Sequence, residues 1–77
     1  MEKEIEYITI DFMLFDKTFA GQNIFESEGE AIESATKLKC EFNSKGFNPQ
    51  ISIVFSYVDG EILGLDLDLL IYMNNTN

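Results

Sequence analysis

Asp66 and Asp68 stand two positions apart in the run Leu63-Gly64-Leu65-Asp66-Leu67-Asp68-Leu69. On an extended strand they share one face, about 6.7 Å apart by strand rise. At that spacing two carboxylates could hold a hard cation such as Ca²⁺ with help from backbone carbonyls. The loop pattern D-x-D-x-D-G is missing, and a straight strand cannot wrap an ion, so the pair reads as solvated strand carboxylates. Glycoside hydrolysis also requires two carboxyls flanking a cleft, for which 77 residues leave little room. Cys40 is the only cysteine and the chain has no histidine. The thiol therefore lacks its usual base, a Ser-His-Asp triad is impossible, and a zinc site lacks its common ligands. By helical phase Cys40 falls off the apolar stripe, beside two lysines, and reads as an incidental thiol. A lone cysteine also forms no internal disulfide and fits a reducing compartment. The five glycines sit apart and form no phosphate-binding loop. No catalytic residue, cofactor or metal is expected, and the chain reads as a protein that is not an enzyme.

What remains is charge. Fourteen acidic residues stand against five lysines, with no arginine, for a net charge of −9. Cations are too scarce to neutralise phosphates, so nucleic acid is not expected as a direct ligand. Anionic lipid headgroups would repel the same surface. Glu2, Glu4 and Glu6 alternate at the start of the chain, Asp11 follows, and Asp66 and Asp68 alternate near its end. Glu26, Glu28, Glu30 and Glu33 cluster where a helix is expected to start. Such a surface suits steering into a positive cleft, followed by carboxylate bonds to lysine and arginine. Glu2, Glu4, Glu6, Asp11, Glu28, Glu30, Glu33, Asp66 and Asp68 are the candidate partner-binding residues. The alternative is that acidity serves solubility alone.

These side chains must be positioned by a few elements. A strand is expected from Ile5 to Phe15, with Ile8, Ile10, Phe12 and Leu14 on one face and Tyr7, Thr9, Asp11, Met13 and Phe15 on the other. Asp16-Lys17-Thr18 reads as a turn, and a weaker strand follows over Phe19 to Phe25. A helix is expected from Glu28, with Ser27 and Glu30 as a capping box and Gly46 as its stop. Ala31, Ile32, Ala35, Leu38 and Phe42 form its apolar stripe. Two more strands are expected at Gln50 to Val58 and Glu61 to Met73. A two-residue Asp59-Gly60 turn would place Phe55 opposite Gly64 and set carboxylates beside the apolar face. A three-residue loop, Val58-Asp59-Gly60, with Gly60 left-handed, places Phe55 opposite Leu63, Ile53 opposite Leu65 and Ile51 opposite Leu67. Residues 74–77 read as a frayed tail.

The expected fold is one α+β domain over 1–77: an antiparallel sheet of three to four strands with one helix on one face, in β(β)αββ order. With one side of the sheet covered, Tyr7, Met13, Phe15, Val54, Ile62, Leu70 and Tyr72 are left on an outer face that could carry a homodimer. The opening Met1 to Tyr7 lacks the basic and apolar regions of a secretion signal, and no apolar run approaches the ~20 residues of a membrane helix. A cytoplasmic protein is expected. In size and charge the chain resembles the small acidic inhibitor proteins of bacteriophages and mobile elements, among them DNA mimics and blockers of restriction or CRISPR enzymes. That resemblance rests on composition and carries over no residue. It implies a binding module that engages a basic surface of a nucleic-acid enzyme of the host. The alternative is a small assembly protein that self-associates through its outer sheet face or a sheet edge.

Overall fold

The apolar alternation of Ile8, Ile10 and Phe12 needs a partner strand on each side and a cover on one face, and the chain supplies all three. The structure is a computed structural model that describes residues 4–75. Its elements are β1 (Ile5–Leu14), β2 (Lys17–Phe25), α1 (Glu28–Ser44), β3 (Gln50–Tyr57), β4 (Ile62–Asp66) and α2 (Leu67–Asn75). The strands form one four-stranded antiparallel sheet in the order β2-β1-β3-β4. Ile8, Ile10, Ile51, Ile53 and Phe55 point to one face, where Ala31 and Ala35 of α1 and Leu67 and Leu70 of α2 join them in the buried core. Both helices lie on that face. The shortest dimension is 17 Å, the thickness of one helical layer on one sheet, so the opposite face of the sheet has no covering layer.

The α1 boundaries follow from local chemistry. The Glu30 N–H donates to Ser27 Oγ at 3.2 Å, satisfying one of the free donors of the first turn. At the other end Gly46 adopts φ 87°. Its N–H donates to Asn43 O at 3.0 Å, and the Phe47 N–H donates to Phe42 O at 2.9 Å. This is a Schellman stop, and the Phe42 and Phe47 rings make the apolar contact that accompanies it, with centroids 6.4 Å apart.

The β3–β4 hairpin has the expected register. Phe55 faces Leu63, Ile53 faces Leu65, Val54 faces Gly64 and Ser52 faces Asp66. The Gly60 N–H donates to Tyr57 O and the Tyr57 N–H to Glu61 O, both at 2.9 Å, which closes the three-residue loop around Gly60 at φ 94°. A Cβ at Gly60 would meet nothing within 4 Å, so Gly60→Ala isolates the backbone cost. It is expected to lower stability by about 1–2 kcal/mol, read as a lower urea midpoint with an unchanged m-value.

Three expectations are corrected. First, the strand expected over Glu61 to Met73 ends at Asp66, and α2 takes the remainder, including Asn74 and Asn75 of the expected tail. Ile51 therefore has no strand partner in Leu67, which instead packs in the core. The Leu69 N–H donates to Asp66 Oδ2 at 3.3 Å, which makes Asp66 the N-cap of a helix. Leu67, Leu70 and Ile71 then share one side of α2 and pack on the core. The fold is thus ββαββα, with a second helix. Second, the first turn is Phe15-Asp16, with φ of 53° and 64°. Leu14 faces Lys17 across it. Positive φ at both central residues is the type I′ geometry that matches sheet twist. Third, β2 begins at Lys17 and carries two irregularities. Its pairing with β1 slips by one residue between Ile8 and Ile10 and again between Ile10 and Phe12. Gly21 at φ 68° and Asn23 at φ 59° supply the left-handed backbone of these bulges.

Candidate functional site

Every described carboxylate is exposed or half-exposed, but several have work within the fold. Asp66 caps α2. Asp68, in the first turn of α2, pairs with Lys39 of α1 and ties the two helices together. Asp11 is half-buried, and its Oδ1 accepts the Gly21 N–H at 2.8 Å, holding the first bulge of β2. Asp59 Oδ1 accepts the Glu61 N–H at 3.0 Å inside the hairpin loop. The expected alternating pair Asp66 and Asp68 is therefore not a strand ladder. Asp66→Ala is expected to cost about 1 kcal/mol. The loss should appear as faster amide exchange confined to α2, because a nine-residue helix has little stability of its own.

The acids at the start of the chain do not form one row either. Ile5 faces Tyr57 while Tyr7 faces Ser56, so a bulge at Glu6 breaks the alternation that would align Glu4 with Glu6. Glu2 lies outside the described residues. Glu4 and Glu6 are both exposed. On α1, Glu33 pairs with Lys37 at 3.6 Å, and both side chains are more than 70% exposed at 72% and 74%, so the pair contributes little. Glu26, Glu28 and Glu30 are exposed at the N-terminal end of α1. No described hydrogen bond or ion pair engages their carboxylates.

The uncovered sheet face brings together residues far apart in sequence. Asp11 faces Ser52 and Ser52 faces Asp66, a row across three strands with the two aspartates about 10 Å apart by strand spacing. Beside it lies an open depression of about 310 Å³ lined by Asp11, Met13, Thr18, Ser52, Val54 and Gly64. Sequence reasoning missed Ser52 as the member between two carboxylates, although the hairpin register already placed it opposite Asp66.

Of the apolar residues expected on this face, Tyr7, Met13, Val54 and Ile62 are there, with Ile62 71% exposed. Ser56, flanked by Tyr7 and Ile62, is buried without any covering layer. Three of the expected residues lie elsewhere. Leu70 is buried in the core, because α2 turns it inward. Tyr72 is exposed on α2. Phe15 is carried out of the strand by the type I′ turn and meets the edge of Phe47 at 5.4 Å. Ile24, 72% exposed, joins the apolar surface on β2, where the bulges hid it from period-two reading.

No helix among the described residues is long and apolar enough to cross a membrane. No group of three or more Cys, Asp or Glu side chains among the described residues is placed to share a metal ion. No protein-family model, curated protein or solved structure matches the chain.

Proposed function

We propose that this protein is a stoichiometric, non-enzymatic binding module that engages a basic surface of a nucleic-acid-binding enzyme, in the manner of the small acidic inhibitors of phages and mobile elements. The observation that carries the reading is the open cluster Glu26, Glu28, Glu30 at one end of α1. It is exposed, closely spaced and unneutralised by described partners, on a chain of net charge −9. Helix-dipole compensation accounts for Glu28 and Glu30 in part, but it does not require Glu26 or so general an excess of acid.

The test is affinity capture of a partner from host lysate at low and high salt, followed by an assay of the partner's nucleic-acid binding. The expected result is a basic protein that is released by salt and whose nucleic-acid binding is blocked at one-to-one stoichiometry. A partner that still binds nucleic acid while holding this protein, or that stays bound in 1 M salt, overturns the reading.

A second reading, self-association through the uncovered sheet face, is favoured by the exposure of Tyr7, Met13, Ile24 and Ile62 on that side. Two copies of net charge −9 repel each other, which weighs against it. A concentration-independent monomer in sedimentation equilibrium removes this reading.

A further inference from the structure

Nothing within the chain requires a glycine at position 64. Gly21, Gly46 and Gly60 take positive φ and Gly64 does not. β4 pairs with β3 without a slip from Ile62 to Asp66, so no bulge calls for it. A Cβ at Gly64 would meet only Val54 Cγ2, at 4.0 Å, so no neighbour forbids a side chain. Glycine weakens the interior of a strand, and there it often marks a place that another group approaches closely. Gly64 lies on the uncovered face opposite Val54, and its missing side chain leaves space in the depression of about 310 Å³. That volume is close to the lower limit of about 300 Å³ for ligand cavities, which suits one side chain and not a cofactor.

The lining mixes hydrogen-bond acceptors with apolar surface. Asp11 faces Ser52, and Thr18 and Gln50 both face Met13. Asp11 Oδ1 accepts the Gly21 N–H. That donor is neutral and offsets no charge, and no described bond engages Oδ2. No described hydrogen bond uses the Ser52 or Thr18 hydroxyl or the Gln50 amide. Among the described residues no lysine stands on this face. Lys37 and Lys39 belong to α1 and Lys45 follows it. Lys17 pairs with Leu14, on the side of the sheet where Phe12 and Phe19 stack. The depression thus holds a half-buried carboxylate with no described cation to meet it.

We infer that this depression takes one arginine side chain of a protein partner. The guanidinium donates to Asp11 Oδ2 and to the acceptors beside it, and the aliphatic stem lies on Met13 and Val54 over the space at Gly64. Arginine fits better than lysine because its planar fork presents five donors to several acceptors at once and is more weakly hydrated. An arginine seated in a pocket is a common anchor of an interface. This inference rests on the proposed binding of a basic partner and adds a contact on the face that the helices leave bare. The body is 17 Å thick, so one basic cleft can reach both that face and the glutamates of α1.

The probes are capped glycine pentapeptides with a central arginine, lysine or citrulline, titrated at low salt while amide chemical shifts are followed. The arginine peptide is expected to saturate and to shift the amides of Ser52 and Gly64. Citrulline keeps the shape without the charge and is expected to bind at least about fivefold more weakly, and lysine about threefold more weakly. Guanidinium ion alone lacks the stem and is expected to bind at least about threefold more weakly. Asp11→Asn keeps an acceptor for the Gly21 N–H and is expected to weaken the arginine peptide at least about fivefold. Glu41→Gln removes the same charge on α1 and is expected to change it less than about twofold. Gly64→Ala fills the space and is expected to weaken binding at least about fivefold while raising the urea midpoint, because alanine restricts the unfolded chain. The peptide and guanidinium comparisons use the unaltered protein and stand whether or not a variant folds.

Equal binding of the citrulline peptide, shifts confined to α1, equal losses in Asp11→Asn and Glu41→Gln, or full binding by Gly64→Ala overturns the pocket. A lowered urea midpoint in Gly64→Ala shows that the glycine serves the fold and overturns the pocket as well. Guanidinium ion that binds as tightly as the arginine peptide overturns the assignment to a side chain. Salt-sensitive capture of a basic partner through Glu26, Glu28 and Glu30 would survive any of these results. The expected arginine response without capture of a basic partner supports the pocket and overturns the proposed function instead.

Discussion

Replacing Glu26, Glu28 and Glu30 together by lysine is expected to weaken binding to the basic partner about 100-fold, which is about 2.7 kcal/mol. Each reversal shifts the charge by two units, so the three take the net charge from −9 to −3. The size of the effect follows from losing three attractive contacts at about 0.5 kcal/mol each, within the range for exposed pairs, and from adding three repulsions of similar size. Lysine at the start of α1 also opposes the helix dipole, at about 0.3–1 kcal/mol per site. The corresponding glutamine variants separate the two causes: they remove the carboxylate charge without adding a cation, and are expected to lose about tenfold. Titration calorimetry at 0.1 M and 1 M salt checks the origin of the effect, because screening lengths fall from about 10 Å to about 3 Å between them. The gap between wild type and the lysine variant should nearly close at 1 M. A gap that persists there would show that the glutamates act through packing.

Ile53→Ala is expected to destabilise the fold by about 3–4 kcal/mol, the middle of the range for a buried branched side chain cut back to a methyl. Ile53 has 0% exposure. It lies on the central strand β3, with Ile10 across from it on β1 and Leu65 on β4, and it belongs to the cluster that includes Ala31 and Ala35. The two alanines on the α1 side of this cluster are too short to fill the space that a truncated Ile53 would leave. A domain of this length has about 4–12 kcal/mol in all, so the variant should sit near the limit of stable folding. Ile62→Ala serves as the contrast. The same deletion at a site 71% exposed should cost less than about 0.5 kcal/mol. Urea denaturation of the two variants measures the difference. Equal losses would mean that the uncovered face is buried in solution against something outside this chain.

Several elements were legible because their causes are local. The even positions of β1 alternate strictly, and Ile8 and Ile10 are buried. Ser27 and Gly46 bracket α1 with chemistry that needs no distant partner. The register of β3 on β4 followed from one constraint, since only a three-residue loop ending in a left-handed Gly60 keeps Asp66 off the apolar face.

Other features depended on what surrounds them. Leu69 to Met73 is a short apolar run, and periodicity does not separate a buried strand from a buried helix at that length. The helix forms because Asp66 caps it, Lys39 holds Asp68, and Leu67, Leu70 and Ile71 find a core on α1 and β3. Phe15 leaves the strand face because the turn takes φ 53° there and Phe47 offers its ring a contact. The bulges of β2 exist only in its pairing with β1.

The same division holds for the acids. Their number, and so the preference for a cationic partner, is a property of the sequence alone, because charge adds without reference to fold. Which carboxylates are committed to caps, bulges and a helix-to-helix tie, and which remain for a partner, was decided by the tertiary structure. So was the depression beside Ser52, since its lining comes from four strands that meet only after strand order is set.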